Sequence, residues 1–104
     1  MDDIKIDERW GLDEEIDELV DEPPLYKVIL LNDDYTTMDF VVGILEDIFH
    51  KTPSEATRIM LLVHNTGSGV CGRYPKEIAE TKIEQVHSRA RSAGFPLRAI
   101  MEKE

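Results

Sequence analysis

The run Tyr26-Lys27-Val28-Ile29-Leu30-Leu31 is short, apolar and β-branched, the pattern of a strand nearly buried on both faces. Immediately downstream the period changes: Met38, Val41, Val42, Leu45, Ile48 and Phe49 recur at helical spacing. Between the two lies a polar joint, Asn32-Asp33-Asp34-Tyr35-Thr36-Thr37. A chain with this switch must pass from strand to helix through a turn rich in carboxylates, hydroxyls and one carboxamide. Thr36 is the expected N-cap of the helix, its oxygen accepting from an N–H two or three residues on. Two readings are open. The string is either a polar turn held by local side-chain hydrogen bonds, or a set of binding groups aimed by a rigid scaffold.

Charge divides the chain. Residues 1–22 hold eleven acidic side chains against Lys5 and Arg9, a net −9, whereas the remaining residues are close to neutral. Such a block is expected to be a flexible acidic extension and an interaction tail, and its charge argues against nucleic acid as a partner. Leu12, Ile16, Leu19 and Val20 nevertheless fall at helical spacing, so a transient amphipathic turn can form on a partner. Glu22-Pro23-Pro24 ends the arm and places the folded domain at residues 23–104. Cys71 alone can form no internal disulfide and no C-x-x-C pair, and the histidines at 50, 64 and 87 lack metal-ligand spacing. No metal or cofactor is therefore expected. With no apolar run near the roughly 18 residues of a membrane span and no signal-peptide core, the expected location is the cytoplasm.

The rest of the domain follows from its punctuation. The first helix is expected at about 37–50. A second opens at Thr52-Pro53-Ser54-Glu55, a capping box with proline at the first helical position, and stops at Gly67. A short Val70-Cys71 strand precedes a third helix starting at Pro75 and closed by Gly94, with Ile78, Ala79, Ile83, Val86 and Ala90 on its apolar side. Pro96 to Met101 reads as the last strand. The order β-α-α-β-α-β predicts an α+β fold: a three-stranded antiparallel sheet with three helices packed on one face.

On that architecture a cleft forms between the first two helices. Met60 and His64 stand one turn apart on the second, and Met38 and Val41 share a side of the first. Asn32, Asp33, Asp34, Thr36 and His64 then ring an opening lined with apolar side chains. That arrangement suits a ligand cationic at one end and bulky and apolar at the other, such as the free N-terminus of a peptide beginning with Leu, Phe, Tyr or Trp. The competing reading makes Met60 and Val41 ordinary core and His64 a structural histidine.

The strings Pro23-Pro24, Tyr26 through Thr36, Met60-Leu61-Leu62-Val63-His64, Val70-Cys71-Gly72 and Ala79-Glu80-Thr81-Lys82 closely resemble the ClpS family over about residues 23–103. These are bacterial adaptors of the N-end rule pathway. They regulate proteolysis by delivering N-degron substrates to the AAA+ unfoldases ClpA or ClpC and the ClpP protease. The resemblance implies peptide binding without catalysis. Asn32, Asp33 and His64 would bind the α-amino group, with Asp34 and Thr36 shaping the rim. Met38, Val41, Met60, Val63 and Leu97 would line the pocket for the first side chain. Glu77 and Lys82, on the exposed side of the third helix, would touch the unfoldase's N-terminal domain, and the arm would reach toward its pore. The sequence departs from the family at Thr37, where proline is usual, which implies some lost stiffness in the rim.

Two rivals remain at this stage. An enzyme using Asp33 and Asp34 as an acid/base pair lacks a nucleophile or metal motif, and neighbouring strand residues point to opposite faces. A general interaction module would act on the unfoldase through its third helix alone.

Overall fold

The computed structural model describes residues 22–104. Its elements are β1 (Leu25–Leu31), α1 (Met38–Asp47), α2 (Pro53–Thr66), β2 (Ser68–Pro75), α3 (Lys76–Ala93) and β3 (Arg98–Lys103). The three strands form one sheet in the order β2-β1-β3, antiparallel throughout. The α+β architecture and element order are those expected. The acidic arm, apart from Glu22, lies outside the described residues.

The most apolar strand takes the centre. Val28 and Leu30 are fully buried and enter the core with Ile44 and Leu45 of α1, Ile59 of α2 and Val86 of α3. Ile29 points the other way. Its neighbours across the sheet are Val70 and Ile100, and although only 9% exposed it lies outside the helix-covered cluster. The helices therefore cover one face, and the second face of β1 is shielded by its cross-strand neighbours.

Several boundaries differ from the sequence expectation, each for a local reason. The helix N-cap is Thr37, whose hydroxyl accepts from the Phe40 N–H at 3.1 Å; Thr36 faces back into the joint. Helix α1 ends with Ile48 as its C-cap, and His50 takes a left-handed φ of 57° that turns the chain toward α2. Strand β2 is longer than its glycine-rich sequence suggests. A Cβ on Gly69 would lie 2.9 Å from Cγ2 of Val63, so the glycine lets the strand approach α2 closely. The bulge in its pairing falls between Val28 and Ile29, where Cys71 is the extra residue. Pro75 ends β2 and caps α3 instead of starting it, and β3 begins two residues after Pro96. Ile78, expected on the apolar side of α3, is half exposed.

The second helix begins and ends as its sequence dictates. Glu55 N–H donates to the Thr52 hydroxyl at 3.2 Å, Thr52 N–H donates to the Glu55 carboxylate at 3.1 Å, and Gly67 closes the helix at φ 97°. Helix α3 is pinned twice. The Lys82 ammonium donates to the Ile48 carbonyl at 2.7 Å, placing a cation on the C-terminal carbonyls of α1. His87 Nε2 accepts the Ala99 N–H of β3 at 3.0 Å, satisfying a donor on the sheet edge. His87→Ala strands that donor, and we expect a loss of about 1–2 kcal/mol in urea unfolding. An unchanged midpoint would show that the edge does not need the imidazole.

Candidate functional site

The polar joint is held by one carboxylate. Asp33 Oδ1 accepts the Tyr35 N–H at 2.8 Å and the Thr36 N–H at 2.7 Å, while Oδ2 accepts the Thr36 hydroxyl at 2.7 Å. The Asn32 N–H donates to the Gly67 carbonyl at 2.9 Å, tying the start of the joint to the end of α2. The loop is thereby fixed to both helices: through Thr37 at the N-terminus of α1 and through Gly67 beside His64. Burial alone would raise the Asp33 carboxyl, but the hydrogen bonds from Thr36 and Tyr35 override it and hold it below the usual aspartate value. A carboxyl held low stays ionised at neutral pH and does not serve there as a general acid.

Against this loop lies an open cavity of about 530 Å³. Asn32, Asp33, Asp34, Thr36 and His64 border it on the polar side. Val41, Met60 and Val63 form an apolar wall whose side chains are 7%, 9% and 2% exposed, whereas Met38 at the mouth is 44% exposed. The expected rim and wall residues are thus brought together, with one exception. Leu97 does not line the cavity; it is packed in the core at 3% exposure. Tyr35 and Thr37 also border the cavity and were missed as site residues. Tyr35 sits in the same polar string, but nothing in its spacing shows that its ring stays exposed.

Met60 and Val41 are part of the core and also line the cavity. The site offers anionic and carboxamide acceptors a short distance from an apolar wall. Such a combination complements a donor-bearing cation attached to a hydrophobic body.

The residues expected at the partner surface do not behave alike. Glu77 is exposed and borders a separate, mainly apolar groove with Pro24, Tyr26 and Ile78. Lys82 is half-buried, bonded to Ile48, with its ammonium 5.5 Å from the centre of the Tyr74 ring. Five residues apart, the two point roughly 140° from each other around the helix axis. Glu77 is thus open to solvent and Lys82 only partly so.

Cys71 is enclosed in the core, where burial pushes its thiol up to about 12. Among the described residues no cluster of three His, Cys, Asp or Glu side chains is placed to hold a metal ion. No helix among them is long and apolar enough to cross a membrane.

The family of ATP-dependent Clp protease adaptor proteins, ClpS, matches residues 21–100. The chain is 57% identical over 88 residues to the ClpS adapter protein of Nitratidesulfovibrio vulgaris, covering 85% of this chain and 88% of that one. With the ClpS adapter protein of Oleidesulfovibrio alaskensis it shares 52% identity over 103 residues, 99% of each chain. Among solved structures, Agrobacterium tumefaciens ClpS2 bound to L-phenylalaninamide superposes with a TM-score of 0.77 at 41% identity, covering 80% of this chain and all of that one.

Because its folded-state pKa is lowered, Asp33 contributes loop stability that is present at neutral pH and lost only as pH falls through that lowered value. In an acid titration followed by NMR, the Tyr35 and Thr36 amide shifts should move with a midpoint below the ordinary aspartate value of about 3.9. A midpoint above it would mean that the carboxylate does not hold the loop.

Proposed function

The chain belongs to the ClpS family of Clp protease adaptor proteins, and from that membership we propose that its cavity receives the N-terminal residue of a substrate polypeptide. The α-ammonium is bound by Asn32, Asp33 and His64, with Asp34 and Thr36 completing the rim. A Leu, Phe, Tyr or Trp side chain enters between Met38, Val41, Met60 and Val63. The adaptor then delivers that polypeptide to a ClpA- or ClpC-type AAA+ unfoldase for degradation by ClpP. The observation that carries this reading is the juxtaposition of an acidic rim and an apolar wall in one cavity. Phenylalaninamide, the ligand of the Agrobacterium relative, has a free α-amine and an aromatic side chain, the two features this cavity complements.

The magnitudes require both ends of the ligand. Burying a Leu or Phe side chain contributes roughly 1.5–3 kcal/mol, and each hydrogen bond to the ammonium about 1.5–3 kcal/mol. Neither alone offsets the cost of association, so recognition reads side chain and free amine together. Toward the other end of β1, Glu77 and the groove beside it are the proposed contact for the unfoldase's N-terminal domain. Lys82 acts there mainly by fixing α3 against α1. The acidic segment 1–22 assists hand-over.

A fluorescence-anisotropy titration with peptides differing only in their first residue tests the proposal. We expect Leu- and Phe-initiated peptides to bind, Nα-acetylation to weaken them at least about a hundredfold, one lost charged hydrogen-bond set being worth several kcal/mol, and His64→Ala to weaken them more modestly. Equal affinity of free and acetylated peptides would remove the rim from recognition. Failure of every such peptide to bind would favour a module acting on the unfoldase through α3 alone.

A further inference from the structure

Helix α1 contributes Met38 and Val41 to the cavity, and it is held to the far side of the domain at both ends. At its C-terminal end Lys82 of α3 donates to the Ile48 carbonyl at 2.7 Å, and Arg89 pairs with Asp47 at 3.0 Å. At its N-terminal end Phe40 packs against Phe95 in the connection between α3 and β3. The ring centroids lie 4.9 Å apart and the planes are tilted by 55°. Both rings are half-buried and pack on the core cluster, and neither borders the cavity. Phe95 is itself fixed. Gly94 caps α3 at φ 81°, the Phe95 N–H donates to the Ala90 carbonyl at 2.8 Å, and Leu97, two residues on, is buried.

We propose that Phe95 is a positioning residue for the cavity: its ring backs Phe40, sets how far the first turn of α1 stands from α2, and so fixes the width open to the first side chain of a bound polypeptide. The inference deepens the reading that the cavity holds a polypeptide N-terminus and rests on it. Directions around a helix advance about 100° per residue, so Phe40 stands about 160° from Met38 and about 100° from Val41. The turn therefore meets the cavity on one side and Phe95 on the other. The facing wall is held independently. Met60 and Val63 sit on α2, which is closed at its start by the Thr52–Glu55 capping box and at its end by Gly67. On the α1 side the Thr37 hydroxyl supplies one hydrogen bond to the turn, and the pair of rings supplies the packing behind it. Removing the Phe95 ring opens a space into which Phe40 and its turn collapse, away from α2. A gap of even 0.5–1 Å forfeits roughly a quarter to a half of each contact across it. A leucine side chain then loses grip on one wall, while a larger indole gains room.

The test titrates two peptides, identical beyond a first residue of Leu or Trp, against the full chain and its Phe95→Ala, Phe95→Leu and Phe95→Tyr variants, by fluorescence anisotropy. Phe95→Ala should move the ratio of the two affinities toward Trp by at least about threefold, below the tenfold or more that a whole methylene changes in a pocket. Phe95→Leu should move it the same way by less, and decides the matter if Phe95→Ala does not fold. Phe95→Tyr keeps the ring and should keep the ratio. The loss on Nα-acetylation should be the same in every variant, because the loop held by Asp33 does not involve Phe95. A ratio unchanged or moved toward Leu, a loss shared equally by both peptides, or the full shift in Phe95→Tyr would overturn the role of Phe95. In those cases the unmodified chain still binds both peptides, so the parent reading stands. If the unmodified chain binds neither, both fall.

Discussion

Everything at the cavity depends on where one aspartate spends its lone pairs. Asp33 accepts three hydrogen bonds from Tyr35 and Thr36, two and three residues further along the rim. A loop of six polar residues would otherwise sample many conformations, at a cost of roughly 1–2 kcal/mol of backbone entropy per residue when ordered. Here that ordering is completed during folding. The polar groups therefore stand in place before a ligand arrives, which is the general route by which preorganised sites bind tightly with few contacts.

The same arrangement explains how a small domain can hold both a core and an apolar pocket. Val41, Met60 and Val63 belong to the one contiguous cluster that packs α1 and α2 over the sheet, so the pocket wall is as rigid as the core itself. Met38, on the first turn of α1 and 44% exposed, is the wall residue with freedom to adjust. Gly69 lets β2 approach α2 at Val63, so the wall residue is backed closely by the sheet.

Most of the site is legible in the amino-acid sequence because it is local. The polar string 32–36, the one-turn spacing of Met60 and His64 and the three-residue spacing of Met38 and Val41 each put neighbours in the chain side by side in space. The failures are non-local or hinge on one residue. Thr36 is the expected cap, but the cap falls to Thr37, while the Thr36 N–H and hydroxyl both turn back to donate to Asp33. The length of β2 was hidden because its pairing with β1, and not its glycine-rich composition, makes it a strand. Lys82 looks like a surface charge until the end of α1 places a carbonyl within its reach. Leu97 is implied by the family resemblance and by no local spacing, and it is packed in the core.

The central claim is that rim and wall grip the two ends of a single residue at the tip of another chain. Intermolecular nuclear Overhauser effects between a Leu-initiated peptide and methyl-labelled protein test it most directly. Contacts from the leucine methyls to the methyl groups of Val41, Met60 and Val63, with the peptide otherwise outside the cavity, are the result predicted. Contacts confined to Ile78 and the groove around Glu77, or leucine methyls that meet none of the three wall residues, would contradict it.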